Sequence, residues 1–195
     1  MLLQLSAAAL PAIELAAHQA VWSMYAISSF ATSTLEQAGL AFLPRAKTPQ
    51  QSKALIGITR TLGLCMGTCL GSICWLLATC LPALFTADAA VQFHMARIAP
   101  WCGTLMIIVG ADVSAVAVLI SLGFSRYLAR SFVITFVALF AFMAMLSRQP
   151  GGISLLGVWG SLLFFFVVRC TQSYLGILLM AGKGRRGADG QIAPA

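Results

Sequence analysis

The sequence predicts an all-α, multi-pass transmembrane helical bundle, and three observations lead there. Five apolar runs, each long enough to cross a bilayer, fill most of the 195 residues. Composition agrees: 60% of residues are hydrophobic and 9% charged, where a soluble domain carries about 25% charged residues. The basic residues also fall mostly on one side of the runs. A hydrocarbon core of about 30 Å takes about 20 apolar residues in helix, because backbone polar groups find no water there.

The spans lie near Glu14–Leu43, Ala54–Phe85, Ile98–Gly123, Phe132–Leu146 and Ile153–Met180. They define a transmembrane lobe over residues 1–182, followed by a basic tail over 183–195. Met1–Leu10 has no basic stretch of the kind that opens a secretory signal, and Pro11 interrupts it. It reads as the end of a sixth helix. Pro44 and Pro49 stop the first long helix, since proline lacks the N–H that continues a helix and restricts its predecessor. Asp88, after Pro82, offers an N-cap for the helix entering the third span. Ser125-Arg126 and Gln149-Pro150-Gly151-Gly152 close the remaining gaps, and Ala188–Ala195 reads as a flexible tail.

The net charge of +7 suggests nucleic acid at first sight, but its distribution points to a membrane. With five spans, one side holds Arg45, Lys47, Lys53, Arg126, Arg130, Lys183, Arg185 and Arg186, and the other Arg97 and Arg148. The positive-inside rule puts the basic side, with the C-terminus, in the cytoplasm or its organellar equivalent. The Lys183–Arg186 cluster is a headgroup anchor. Trp22, Trp75, Trp101, Trp159, Tyr25 and Tyr127 supply interfacial anchors. Cys65, Cys69, Cys74, Cys80, Cys102 and Cys170 lie in apolar segments without a CxxC pair, and read as small packing residues. His18 and His94 are too isolated to complete a zinc site, so no metal or cofactor is expected. The chain holds no GxSxG elbow, no HExxH and no Walker A loop, and its five acids are too few for a two-metal membrane enzyme. Enzymatic activity is not expected.

Charged side chains inside spans are costly and mark candidate sites. Counted from the basic side, Glu36 and Arg60 share one depth, and Asp112 and Arg169 another nearer the bilayer middle. These match as two interhelical ion pairs. Either each pair neutralises itself structurally, or Asp112 or Glu36 exchanges a proton as a cation or substrate leaves, or Arg169 holds an anionic substrate. Glu14 and His18, one turn apart, read as a solvated helix end or as a surface proton relay. Gly63, Gly67 and Gly71 recur every fourth residue, a stripe that lets a neighbouring backbone approach closely.

Several of these segments, in order, resemble a known family. Leu15-Ala-Ala-His18-Gln19 resembles the AAHQ signature in the second half of multidrug and toxic compound extrusion (MATE) transporters. Leu35-Glu-Gln-Ala-Gly-Leu-Ala-Phe-Leu-Pro44 is similar to the end of that helix in plastid-type members of the DNA-damage-inducible F branch. Leu81-Pro-Ala-Leu-Phe85-Thr-Ala-Asp88 resembles the family's LPxLFTxD connection, Gly123-Phe-Ser-Arg126-Tyr-Leu-Ala129 its short basic loop, and Gly157-Val-Trp159 the GVW opening its last helix. The resemblance covers roughly residues 5–180 in one register. It implies that the spans correspond to the last five of twelve helices, the C-terminal lobe of a proton- or sodium-coupled antiporter of organic solutes. It further implies a cytoplasmic or stromal C-terminus and a plastid envelope. In the family's register Asp112 stands one residue from a position where another branch has an aspartate. The first lobe, with its own coupling acid, has no counterpart in these residues.

The expected function is therefore the C-terminal half of a secondary active antiporter that exports organic solutes or xenobiotics for protons or sodium. Its expected partners are the lipid bilayer, a small organic solute, and either an N-terminal lobe or a second copy to complete the pathway. The alternative is a non-transporting lobe that acts only as a membrane assembly or structural protein.

Overall fold

The computed structural model describes Ala7, Ala8, residues 10–148 and residues 153–189. The expected turn at Gln149–Gly152, most of Met1–Leu10 and the tail beyond Asp189 lie outside the described residues. Five long helices follow one another: α1 (Ala12–Phe42), α2 (Pro49–Cys80), α3 (Ala89–Ser121), α4 (Ser125–Ser147) and α5 (Leu155–Asp189). Two short 3₁₀ turns, Leu43–Arg45 and Pro82–Leu84, sit where the prolines stop α1 and α2. No strand occurs among the described residues.

The helix starts have local causes. Thr48 caps α2 by accepting a hydrogen bond from Gln51 N at 3.2 Å, while Gln51 Oε1 accepts from Lys47 N at 3.0 Å, a reciprocal cap with Pro49 at the first helical position. Asp88 Oδ1 accepts from Ala90 N at 2.8 Å and starts α3. The helix thus begins at the cap expected of Asp88, nine residues before the apolar span that starts at Ile98. Gly123, at φ 82°, takes the left-handed conformation that ends α3 and turns the chain into α4. At the other end of the chain, α5 continues past the expected boundary at 182, through Lys183, Arg185 and Arg186 to Asp189.

Among the described residues, four helices are long and apolar enough to cross a membrane: α2, α3, α4 and the Leu155–Leu179 part of α5. The fold is thus a helical membrane bundle. Helix α1 is as long but stands outside this group, since Glu14, His18, Glu36 and a run of serines and threonines from Ser23 to Thr34 dilute its apolar character.

Helix α3 is the axis of the bundle and packs against all the other helices. Met95, Ile98, Leu105, Met106 and Leu119 along it are fully buried. The glycine stripe of α2 lies directly on it. A Cβ at Gly63 would fall 2.5 Å from Gly110 O, one at Gly67 2.7 Å from Met106 O, and one at Gly71 2.5 Å from Gly103 O. Gly110 answers from α3, where a Cβ would overlap Gly63 O. Two backbones touch here with no side chains between them, which is how helices associate when lipid is as apolar as leucine.

Candidate functional site

Among the described residues, the interior of the bundle contains one ion pair, built where α3 meets α5. Asp112 is 1% exposed. Arg169 Nε donates to its Oδ2 at 2.9 Å, and Ser173 Oγ donates to its Oδ1 at 3.1 Å. Both donors come from one turn of α5, since residues four apart lie on the same helix face. The carboxylate is therefore gripped through both oxygens by a single helix. The guanidinium of Arg169 lies 4.0 Å from the Phe132 ring centroid of α4 and 6.0 Å from that of Phe165. Aromatic faces so placed stabilise a cation that has lost water.

A second set of polar contacts joins α5 to α4 on the next strip of the same face. Tyr127 Oη donates to Gln172 O at 2.7 Å, and Thr135 Oγ1 lies 2.8 Å from Gln172 Oε1 and 2.9 Å from Ser131 O. Tyr127 reaches that carbonyl across Gly176, where a Cβ would stand 2.5 Å from the tyrosine ring. Arg169, Gln172, Ser173 and Gly176 thus form a stripe at i, i+3, i+4 and i+7. That spacing is visible in the sequence and was the signal for Gln172, Ser173 and Gly176, which the search for charged residues alone passes over.

Beside the ion pair lies a cavity of about 410 Å³, bounded by Val113 and Val116 of α3, Leu128 and Phe132 of α4, Arg169 of α5 and Glu36 of α1. Its walls are apolar and its two charged members have opposite sign. Glu36 has no cation within ion-pair distance among the described residues. Asp112 already pairs with Arg169, which leaves the Glu36 carboxyl without an ion-pair partner in the site. An apolar cavity with an unpaired carboxyl group and a paired Asp–Arg has the ingredients for binding a charged amphiphile or for exchanging a small cation.

Of the four charged residues predicted to form two pairs, the structure joins Asp112 with Arg169 and keeps Glu36 and Arg60 apart. Equal depth fixes height along the bundle and leaves direction around the helix open. Helix α1 meets α2 at Thr59, whose methyl would lie 3.5 Å from a Cβ at Gly39. Arg60, one residue and about 100° further round, points to α5 instead, with its guanidinium 4.9 Å over the Tyr174 ring.

His18 also departs from expectation. It is buried, not solvated, stacking on Trp22 and edge-on to Trp159 at 5.8 Å each. Glu14 faces His94 of α3 instead, at 4.0 Å. The aromatic and histidine rings of α1, α3 and α5 close this end of the bundle. No family model, curated protein or solved structure matches the chain.

Proposed function

We propose that the chain is the C-terminal lobe of a secondary active antiporter of the MATE type, exporting organic solutes in exchange for protons or sodium. The observation that carries this reading is the Asp112–Arg169–Ser173 cluster, held inside apolar helices beside a chamber that Glu36 also lines. Taking two charges out of water costs several kcal/mol per ion, of the order that a purely structural contact does not need, and buried charges in spans commonly mark ion or substrate paths. The ordered family-like segments point the same way.

In this reading α1 is a fifth span. Four of its hydroxyls are satisfied within the helix: Ser29, Thr32, Ser33 and Thr34 each donate to the carbonyl three residues earlier, at 2.7–2.8 Å. A polar helix whose hydroxyls are self-bonded and whose acid faces a chamber is suited to line a pathway. The basic ends then face the cytoplasm or stroma. Solute sites in such folds lie between lobes, so the chain works with a first lobe or with a second copy.

The test is efflux of a fluorescent organic cation from vesicles containing the chain and its partner lobe, driven by an imposed pH gradient. Asp112→Asn is expected to abolish the pH-driven component while the protein still inserts. Unchanged pH dependence in that variant removes the proton role. Absence of any gradient-driven flux in the unaltered protein leaves the assembly role as the reading.

A further inference from the structure

Arg60 of α2 faces outward, and its surroundings form a groove. It lies eleven residues in from Pro49 on α2, about 16 Å along the axis. A helix of 32 residues is about 48 Å long against a hydrocarbon core of about 30 Å. Arg60 therefore starts just below the hydrocarbon boundary, within reach of the headgroups for a snorkelling side chain. No carboxylate lies within ion-pair distance of it among the described residues.

Three further features bear on what this arginine meets. The groove beside it, about 290 Å³, is lined by Gly57, Arg60, Thr61 and Leu64 of α2 and Tyr174 of α5. Gly57 holds it open, since a Cβ there would meet nothing within 4 Å. Lys53, exposed and two turns nearer the helix start, lies on the same stripe as Gly57, Arg60 and Leu64. Headgroup depth thus carries two cations, and the groove beneath them turns from hydroxyl-bearing (Thr61, Tyr174) to apolar (Leu64). That gradient matches one class of molecule, an anionic amphiphile standing along the bilayer normal.

The geometry points to a binding site for an anionic phospholipid between α2 and α5, with its phosphate held by Arg60 and Lys53 over Gly57 and its first acyl segment lying over Leu64. The site is separate from the Asp112 chamber and does not depend on transport. It needs only that the Pro49 end of α2 lies at a membrane surface. A bound lipid there would supply the counter-charge that the protein does not, and would bridge two helices where Arg60 meets Tyr174.

The test uses the full chain in phosphatidylcholine vesicles with trace spin-labelled phosphatidylglycerol or spin-labelled phosphatidylcholine. The unaltered protein is expected to restrict the anionic probe in preference to the neutral one. Arg60→Gln should reduce that preference about tenfold, the scale of a lost charge-assisted hydrogen bond. Lys53→Gln should reduce it less, and Arg60→Lys should retain most of it. Gly57→Leu should block the groove with both charges in place, giving a second route to the same loss. Arg148→Gln, at the other end of the bundle, should leave it intact. Removing the Arg60 charge eases insertion, so loss of folding does not mimic the result. Equal restriction of the two probes by the unaltered protein, or an unchanged preference in Arg60→Gln, overturns the proposal. Displacement of the anionic probe by millimolar soluble glycerol phosphate also overturns it, because the groove would then be a site for free phosphate.

Discussion

Helix α3 meets α2 on one side and α5 on another, and the two interfaces use opposite chemistry. Against α2 the contact is backbone on backbone, with Gly63, Gly67 and Gly71 seated on Gly103, Met106 and Gly110. Against α5 it is side chain on side chain, with the carboxylate of Asp112 held by Arg169 and Ser173. The first gains van der Waals contact at no cost in buried polarity. The second places charge where desolvation is most costly. A bundle that needed only to cohere could repeat the glycine solution on both sides. Asp112 thus sets the α5 side apart from the glycine-lined α2 side.

The difference is broken most severely by removing one partner of the ion pair. Arg169→Gln leaves Asp112 as a buried carboxylate with only Ser173 for company, and is expected to destabilise the bundle by about 3–5 kcal/mol. The double variant Asp112→Asn/Arg169→Gln should recover much of that, because neither charge then remains. Thermal unfolding of the purified variants in detergent reads both. If the double variant is no better than the single, the contact is not an ion pair in the energetic sense.

The glycine side should respond to bulk and not to charge. At Gly67 a Cβ would lie 2.7 Å from Met106 O and 3.2 Å from the Gly110 and Ile107 Cα atoms. The obstacles are backbone, so the helices must part along their length. Gly67→Ala is expected to cost about 1–3 kcal/mol, lowering the midpoint of thermal unfolding. An unchanged midpoint would mean that α2 and α3 are less closely seated than their backbones indicate. A smaller loss, about 1 kcal/mol, is expected for Tyr127→Phe. It removes the hydrogen bond to Gln172 O at 2.7 Å and leaves the ring in its seat against Gly176.

The same contrast explains what could be read from the residues alone. Helices declare themselves through apolar length, and their ends through Pro44, Pro49, Pro82 and Asp88, because these act within a few residues. Asp88 marked the start of α3 even though Gln92, His94 and Arg97 delay the apolar run to Ile98, because a cap acts on the helix and not on its apolarity. Depth can be counted along a sequence, so Asp112 and Arg169 were matched. Direction round the axis depends on which helices become neighbours, so Glu36 and Arg60 were matched wrongly. The glycine stripe of α2 announced a close neighbour without naming it. Gly103 and Gly110, seven apart on α3, were the partner's half of the signal. The burial of His18 was not readable, since Trp159 reaches it from the far end of the chain.

The smallest effect sharpens the comparison most, because it uses the same substitution on the same helix with the opposite sign. Gly57 and Gly67 both belong to α2, ten residues apart, and both are helical. Gly67 is buried against α3. Gly57 is exposed, and a Cβ there would meet nothing within 4 Å. Glycine in a helix interior costs roughly 0.5–1 kcal/mol relative to alanine through backbone freedom lost on folding. With no neighbour to displace, Gly57→Ala should recover about that amount and raise the unfolding midpoint. Gly67→Ala gains the same propensity and loses more to overlap. The sign change between the two separates packing from propensity, since any general effect of alanine on α2 would move both variants in one direction. If Gly57→Ala also destabilises, the groove at Gly57 is occupied by something that a methyl group displaces.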